Sequence, residues 1–390
     1  MLFKKKSIAL LGSTGSIGTT SLNILKDFKN KFEIDLLCCN KNKTKIHKQI
    51  KTFLPKFVII NDPIIYDFFL KIKFKKKIKF FKNIIEFNDF NKIKKYKFDK
   101  TILGISSISG LKYGFSFIQY SKEILIANKE TIVCGGKFFL NQAKKYSCKI
   151  TSIDSEHFCL SNTLKFFKSN QIKKIYLTAS GGPFLKKKKK EILKIDPRFA
   201  LKHPNWNMGK KISIDSATMA NKGLEVMEAS VLFNIDPKKI AIKIHQESKV
   251  HSIVTLNNGL VYLVAHNTSM KIPILNSLID NFTDDVKDNF FDNKSFFFTF
   301  DEKKLKNFKM VSLAYKALEY GQRGCIFYNV INDYLVNLYL EKKIFFYEIH
   351  YKLNKIMNNK KLFYYFKKKI RNTKDIYQTI GIAEYYAKKI

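Results

Sequence analysis

Short apolar runs separated by helix-length segments, a glycine turn directly after the first run, and a change to sustained helical spacing near the end predict an α/β fold. They divide it into an N-terminal Rossmann-like, doubly wound domain, a central α/β domain and a C-terminal helical domain. A chain of 390 residues is too long for one ordinary core and suits several domains.

Taken in order, Ser7 to Leu11 is the first apolar run. Gly12, Gly15 and Gly18 of GSTGSIG follow it, and Thr19 to Leu25 continue at helical spacing, so the reading is strand, glycine turn, helix. Runs at Ile34 to Cys39, Phe57 to Ile60, Lys100 to Leu103 and Glu123 to Ala127 repeat the alternation of a parallel sheet and place residues 1–150 in one doubly wound domain. From Lys149 onward strands dominate: KITSID, KKIYLTAS, KISID, IAIKIHQ, HSIVTL and LVYLVAH. The last two flank Asn257-Asn258-Gly259, a hairpin signal. Residues 151–279 form the second predicted domain, and inside it the long irregular segment 183–210 is expected to be a lid. Residues 280–306 mix Asp, Asn, Lys and Phe without a period and read as a linker. Residues 307–390 read as the helical domain.

The formal net charge is +40, which looks like the footprint of a polyanion binder. Only Arg198, Arg323 and Arg371 are arginines among 72 basic residues, however, and the lysines are scattered. Bidentate recognition of bases and phosphates favours arginine, so no specific nucleic-acid partner is expected, only non-specific adhesion at low salt. The six cysteines form no C-x-x-C pair, and no stretch approaches the roughly 20 apolar residues of a membrane span. A reducing cytoplasm is the expected setting, with no membrane association.

Five segments carry chemistry. GSTGSIG puts backbone N–H groups at a helix N-terminus, where a pyrophosphate can approach, although a plain tight turn has the same pattern. The second strand ends in Cys38-Cys39-Asn40-Lys41-Asn42 with no acid for a ribose hydroxyl, which favours NADPH over NADH. Alternation along KITSIDSEH puts Asp154 and Glu156 on the same side of a strand end. They suit a hard divalent ion, Mg2+ or Mn2+, or else are a solvated strand end. Ser180-Gly181-Gly182 offers a hydroxyl and amides to a phosphate, or is an ordinary turn. In ISIDSATMANKGLEVMEA, a strand leading into a helix that begins near Asp215 or Ser216 would align Thr218, Asn221, Lys222 and Glu225. It would bury Ala220, Leu224, Met227 and Val231 on another face. A phosphate held by Ser216, Asn221 and Lys222 beside a metal held by Glu225 accounts for that polar face, and for a helical Gly223, better than a surface Lys222–Glu225 pair does.

Together GSTGSIG, LIANKET, IDSEH, ASGGPF, HPNWNMGKKISIDSATMANKGLE and GQRGCIFYNVIND resemble, in order, the 1-deoxy-D-xylulose 5-phosphate reductoisomerase family over nearly the whole chain. The resemblance implies an NADPH- and divalent-metal-dependent, homodimeric enzyme of the non-mevalonate isoprenoid pathway. It would rearrange and reduce a small sugar phosphate to 2-C-methyl-D-erythritol 4-phosphate. By resemblance, Asp154, Glu156 and Glu225 bind the metal and, with Lys129 and His203, form the catalytic set. Substrate contacts are Lys129, Ser155, Glu156, Ser180, His203, Ser216, Asn221, Lys222 and Glu225, with Trp206 and Met208 on the lid. The cofactor meets Thr14, Gly15, Ser16, Ile17, Asn40, Lys41, Asn42, Asn128, Glu130 and Gly209. The chain departs from the family pattern at Asn40, Ile105 to Gly110, His245 to Ser248 and Ser269 to Lys271.

Overall fold

In the computed structural model, which describes residues 4–206, 208–279, 290, 297–302 and 308–390, the chain forms two compact units. The first comprises 1–128, 139–154 and 270–284, and the second 129–138, 155–269 and 285–390, so the chain enters each unit more than once. Most of the expected linker, 280–306, lies outside the described residues.

The first run of elements is β1 (Lys6–Leu11), α1 (Ser16–Asp27), β2 (Phe32–Cys39), α2 (Lys43–Phe53), β3 (Phe57–Ile60), α3 (Pro63–Leu70) and β4 (Lys79–Phe81). It continues with α4 (Ile84–Lys94), β5 (Phe98–Leu103), α5 (Ser109–Ile118), β6 (Ser121–Ile126), α6 (Lys129–Lys145) and β7 (Lys149–Ser152). The seven strands pair in parallel in the order β4-β3-β2-β1-β5-β6-β7, the doubly wound arrangement the apolar runs predict. Ile8 to Leu11 of β1 are fully buried, as expected of a strand covered by helices on both faces. The order reverses beside β1, and the glycine turn leaves the sheet there. Gly12 has φ +84°, and a side chain on it would strike the backbone of Gly104, so only glycine fits this crossing.

The remaining elements are α7 (Ser155–Leu164), β8 (Ile172–Ala179), α8 (Lys189–Ile192), α9 (Pro197–Ala200), α10 (Lys210–Thr218), α11 (Ala220–Leu232), β9 (Ile240–Ile244), β10 (Val250–Leu256) and β11 (Val261–Ala265). After them come α12 (Lys271–Leu278), α13 (Lys309–Glu319), α14 (Gln322–Leu340), α15 (Phe346–Met357), α16 (Lys360–Phe366) and α17 (Thr373–Lys388). The second sheet, β11-β10-β8-β9, is mixed, and its β10–β11 hairpin turns at Gly259 with φ +90° as the Asn-Asn-Gly signal predicts. Its inner face packs on Met219, Val226 and Ala229.

Four expectations are corrected. KITSID does not open the second sheet: Lys149–Ser152 pairs with β6 as the edge strand of the first. KISID is helical within α10, because its buried Ser213, Ile214 and Asp215 face neighbouring helices rather than a sheet. The polar motif spans two helices, since Met219 at φ +63° ends α10 and α11 starts at Ala220. Segment 183–210 is less irregular than expected: it holds the one-turn helices α8 and α9.

Candidate active site

α11 is buried on every side from Lys222 to Ala229, which for a helix carrying Lys222, Glu225 and Glu228 requires internal partners. They are present. Lys222 Nζ lies 2.6 Å from Glu225 Oε2 and 2.6 Å from Glu156 Oε1. Lys129 Nζ, at the start of α6, donates to Glu225 Oε1 at 3.1 Å and to Asn221 Oδ1 at 2.8 Å, and Asn221 Nδ2 reaches Glu225 Oε1 at 2.5 Å. Ser155 Oγ donates to Glu156 Oε2 at 2.6 Å. Lys222 and Glu225 are thus an ion pair, and a buried one rather than the surface pair of an amphipathic helix.

Asp154 and Glu156 meet by a route different from strand alternation. β7 ends at Ser152 and α7 begins at Ser155, so Asp154 precedes the helix and Glu156 lies in its first turn. Asp154, Glu156 and Glu225 each present an oxygen within 4.8 Å of the other two. Carboxylates this close repel unless cations separate them, and here the two ammonium groups share that work. An all-oxygen donor set of three carboxylates fits a hard divalent ion. Behind it, His157 Nε2 lies 3.0 Å from the Glu225 carbonyl and Nδ1 lies 3.5 Å from Glu228 Oε2, a buried support that spacing did not single out.

Ser180 and His203 form a second group in the same unit. His203 Nδ1 accepts the N–H groups of Asn205 and Trp206 at 3.2 and 3.0 Å, which places the ring proton on Nε2. Nε2 then donates to Ser180 Oγ at 3.0 Å, and Gly182 N–H donates to the same oxygen at 3.2 Å, leaving the Ser180 hydroxyl proton for an acceptor in the site. Burial, and then the positive charge of Lys222, push His203 down to about 4, so the ring is neutral. Gly182 packs against the Ser216 carbonyl, where a Cβ would approach to 2.8 Å, and so joins the glycine turn to the end of α10. Asn205 is tied to the Gln246 carbonyl and to Ser248 Oγ, and the Trp206 ring lies edge-on to His251. Met208 is partly buried. His251 is pushed down to about 3 by burial and by its stacked neighbour His266.

In the first unit, Gly15 caps α1 without a side-chain bond, and exposed Gly15 and Ser16 with half-buried Thr14 and Ile17 form the helix N-terminus. Asn40, Lys41 and Asn42 are exposed at the end of β2, and Asn42 caps α2 through Lys45 N–H. Asn128 is buried and holds the Ile105 and Ser107 carbonyls at 2.5 and 2.8 Å, which anchors one of the departing segments. Gly209 and Glu130 belong to the second unit. Gly209 is the exposed cap of α10. Glu130 is buried against Lys211 at 3.0 Å, and although burial raises its pKa, Lys211 outweighs this and holds it below the usual carboxylate range.

A doubly wound sheet with a helix N-terminus at its switch point, and a second unit in which Glu156 and Glu225 gather around two lysines, suit a nucleotide- and metal-using enzyme of anionic substrates. The comparisons make this specific. The family models described as 1-deoxy-D-xylulose 5-phosphate reductoisomerase, its C-terminal domain, and DXP reductoisomerase C-terminal domain match residues 8–136, 150–233 and 266–384. A relative of that name from Pelagibacter ubique is 42% identical over 380 residues, covering 95% of this chain and 96% of its own. Another from Clostridium tetani is 37% identical over 390 residues, covering 98% and 99%. A crystal structure of DOX-P reductoisomerase in complex with NADPH, fosmidomycin and magnesium superposes with TM-score 0.88 at 29% identity over 98% of each chain. The Zymomonas mobilis enzyme in complex with NADPH gives 0.84 at 25% identity, again over 98% of each. The chain belongs to the 1-deoxy-D-xylulose 5-phosphate reductoisomerase family.

Proposed function

We propose that this protein converts 1-deoxy-D-xylulose 5-phosphate to 2-C-methyl-D-erythritol 4-phosphate with NADPH and Mg2+ or Mn2+. It would act in the cytoplasm as a step of the non-mevalonate route to isoprenoid precursors. The observation that carries this reading is the buried cluster of Glu156, Glu225, Lys129 and Lys222, in a chain of this family. Asp154, Glu156 and Glu225 would hold the metal. When bound, the ion supplies a Lewis acid at the ketone oxygen, and NADPH supplies the hydride.

The rest falls to the chain's own side chains. Lys129 and Ser155 orient the substrate oxygens next to the carboxylates. Ser180, through the hydroxyl proton that His203 and Gly182 leave it, binds the phosphate with His203, Ser216, Asn221 and Lys222. Thr14, Gly15, Ser16 and Ile17 take the cofactor pyrophosphate, Asn40, Lys41 and Asn42 take its 2′-phosphate, and Asn128, Glu130 and Gly209 complete that site. Segment 183–210 closes as a lid and excludes water from the reacting carbons. Among the described residues no helix is long and apolar enough to cross a membrane.

The test is the loss of nicotinamide absorbance on mixing protein, NADPH, the sugar phosphate and Mg2+. Glu225→Gln is expected to lower the rate by more than about 100-fold. A rate indifferent to chelation of the metal, or to Glu225→Gln, would sink the reading.

A further inference from the structure

Resting on that reading, we propose that helix α14 is a positioning element of this site: Asn332 and Asp333 act through Lys211 to fix where α6 presents Lys129. GQRGCIFYNVIND, the motif on α14, has no part in the chemistry above. Its polar residues Gln322, Asn329, Asn332 and Asp333 follow i, i+7, i+10 and i+11, one face of a helix.

Each of them grips one of two elements. Gln322 Nε2 donates to the Cys134 carbonyl at 2.9 Å where α6 bends at Gly136, and a side chain at Gly136 would collide with Gln322. Asn329 Nδ2 lies 3.3 Å from Cys134 Sγ. Asn332, fully buried, donates to Asp215 Oδ1 at 2.8 Å, and Asp333 Oδ1 lies 4.0 Å from Lys211 Nζ. Lys211 Nζ also meets Asp215 Oδ2 at 2.7 Å and Glu130 Oε1 at 3.0 Å.

One ammonium therefore serves three carboxylates from α6, α10 and α14. Burial works against its charge, but the carboxylates outweigh burial and hold Lys211 firmly protonated. Glu130 directly follows Lys129, so fixing the one fixes the backbone from which the other reaches Glu225 and Asn221. Displacements near 1 Å at such a position are enough to slow a reaction strongly.

The full-length chain is compared with Asn332→Ala and Asp333→Asn, and with the pair Lys211→Met and Lys211→Arg. Asn332→Ala and Asp333→Asn are expected to fold and to lower kcat by about tenfold with KM little changed, because orientation rather than uniform binding is lost. Mn2+ affinity, read by electron paramagnetic resonance, is expected to rise by about threefold as Lys129 ceases to compete for Glu225. Lys211→Arg restores what Lys211→Met loses. Folded Asn332→Ala and Asp333→Asn proteins with the parent kcat, KM and Mn2+ affinity, or losses that track only the unfolded fraction, overturn the inference. If the parent chain does not turn over the sugar phosphate, the functional reading falls while the Mn2+ titration still decides this one.

Discussion

At the scale of single residues, the surroundings of His203 fix both its tautomer and its charge. Two backbone N–H groups on Nδ1 exclude a proton there, and burial with Lys222 nearby lowers the pKa to about 4 from the ordinary 6.5. Between those values the unfolded chain takes up the proton first, so His203 supports stability fully above 6.5 and loses that support as pH falls through about 4. Thermal midpoints from pH 7 down to 4 should therefore fall less steeply in His203→Gln than in the parent. Equal slopes would refute the assignment. At this scale the sequence was informative about residue types and less so about their partners. Glu225, Lys222 and Glu156 could be singled out because acids and lysine inside apolar sequence need an explanation. That Lys222 bonds both carboxylates follows from a 66-residue contact that no local spacing encodes. Lys211 is not legible in the sequence, because a lysine in a chain this rich in lysine carries no signal.

At the scale of elements, Gly223 shows how a local rule can point to the wrong cause. Glycine inside a helix costs about 1 kcal/mol relative to alanine, a cost that the sequence alone assigns to function. The cause is packing: a Cβ there would sit 2.7 Å from Ala314 Cβ and 2.9 Å from Tyr328 Oη, where α13 and α14 press on α11. Gly223→Ala is expected to destabilise by about 1–3 kcal/mol in spite of better helix propensity. Ala314→Gly in the same chain should recover part of that, both read by denaturant unfolding. A Gly223→Ala protein at least as stable as the parent would refute the packing account. The first sheet is legible strand by strand because parallel strands are continuous apolar runs; β4 gives no such run, and β7 reads as a strand but of the other sheet, since edge positions need fewer apolar residues. The start of α10 reads as a strand because Ile212, Ile214 and the residues between them alternate over so few positions that period two and period 3.6 cannot be separated. The lid belongs to this scale too: a saturating phosphonate should change the emission of Trp206, the only tryptophan, and an unchanged spectrum would count against closure.

For the whole molecule, β11 is, among the described residues, an edge strand of the second sheet, with Leu260 just before it and Val261, Tyr262 and Leu263 on it all exposed, a liability that proteins usually cover. We expect a second copy to cover it, giving the homodimer, and Tyr262→Lys with Leu263→Lys to yield monomers in sedimentation. A dimer that survives both changes would place the interface elsewhere. The first unit has a different kind of incompleteness. Lys100, paired with Glu123 in its sheet, also donates to the Ser277 carbonyl at the end of α12, and residues 270–284 belong to the same unit. During synthesis its seven strands are thus all translated well before the helix that finishes it, so the sheet must wait through more than a hundred residues of other sequence. The first unit therefore cannot be completed until α12 has been made, and its apolar strands need shielding for longer than those of a domain contiguous in sequence.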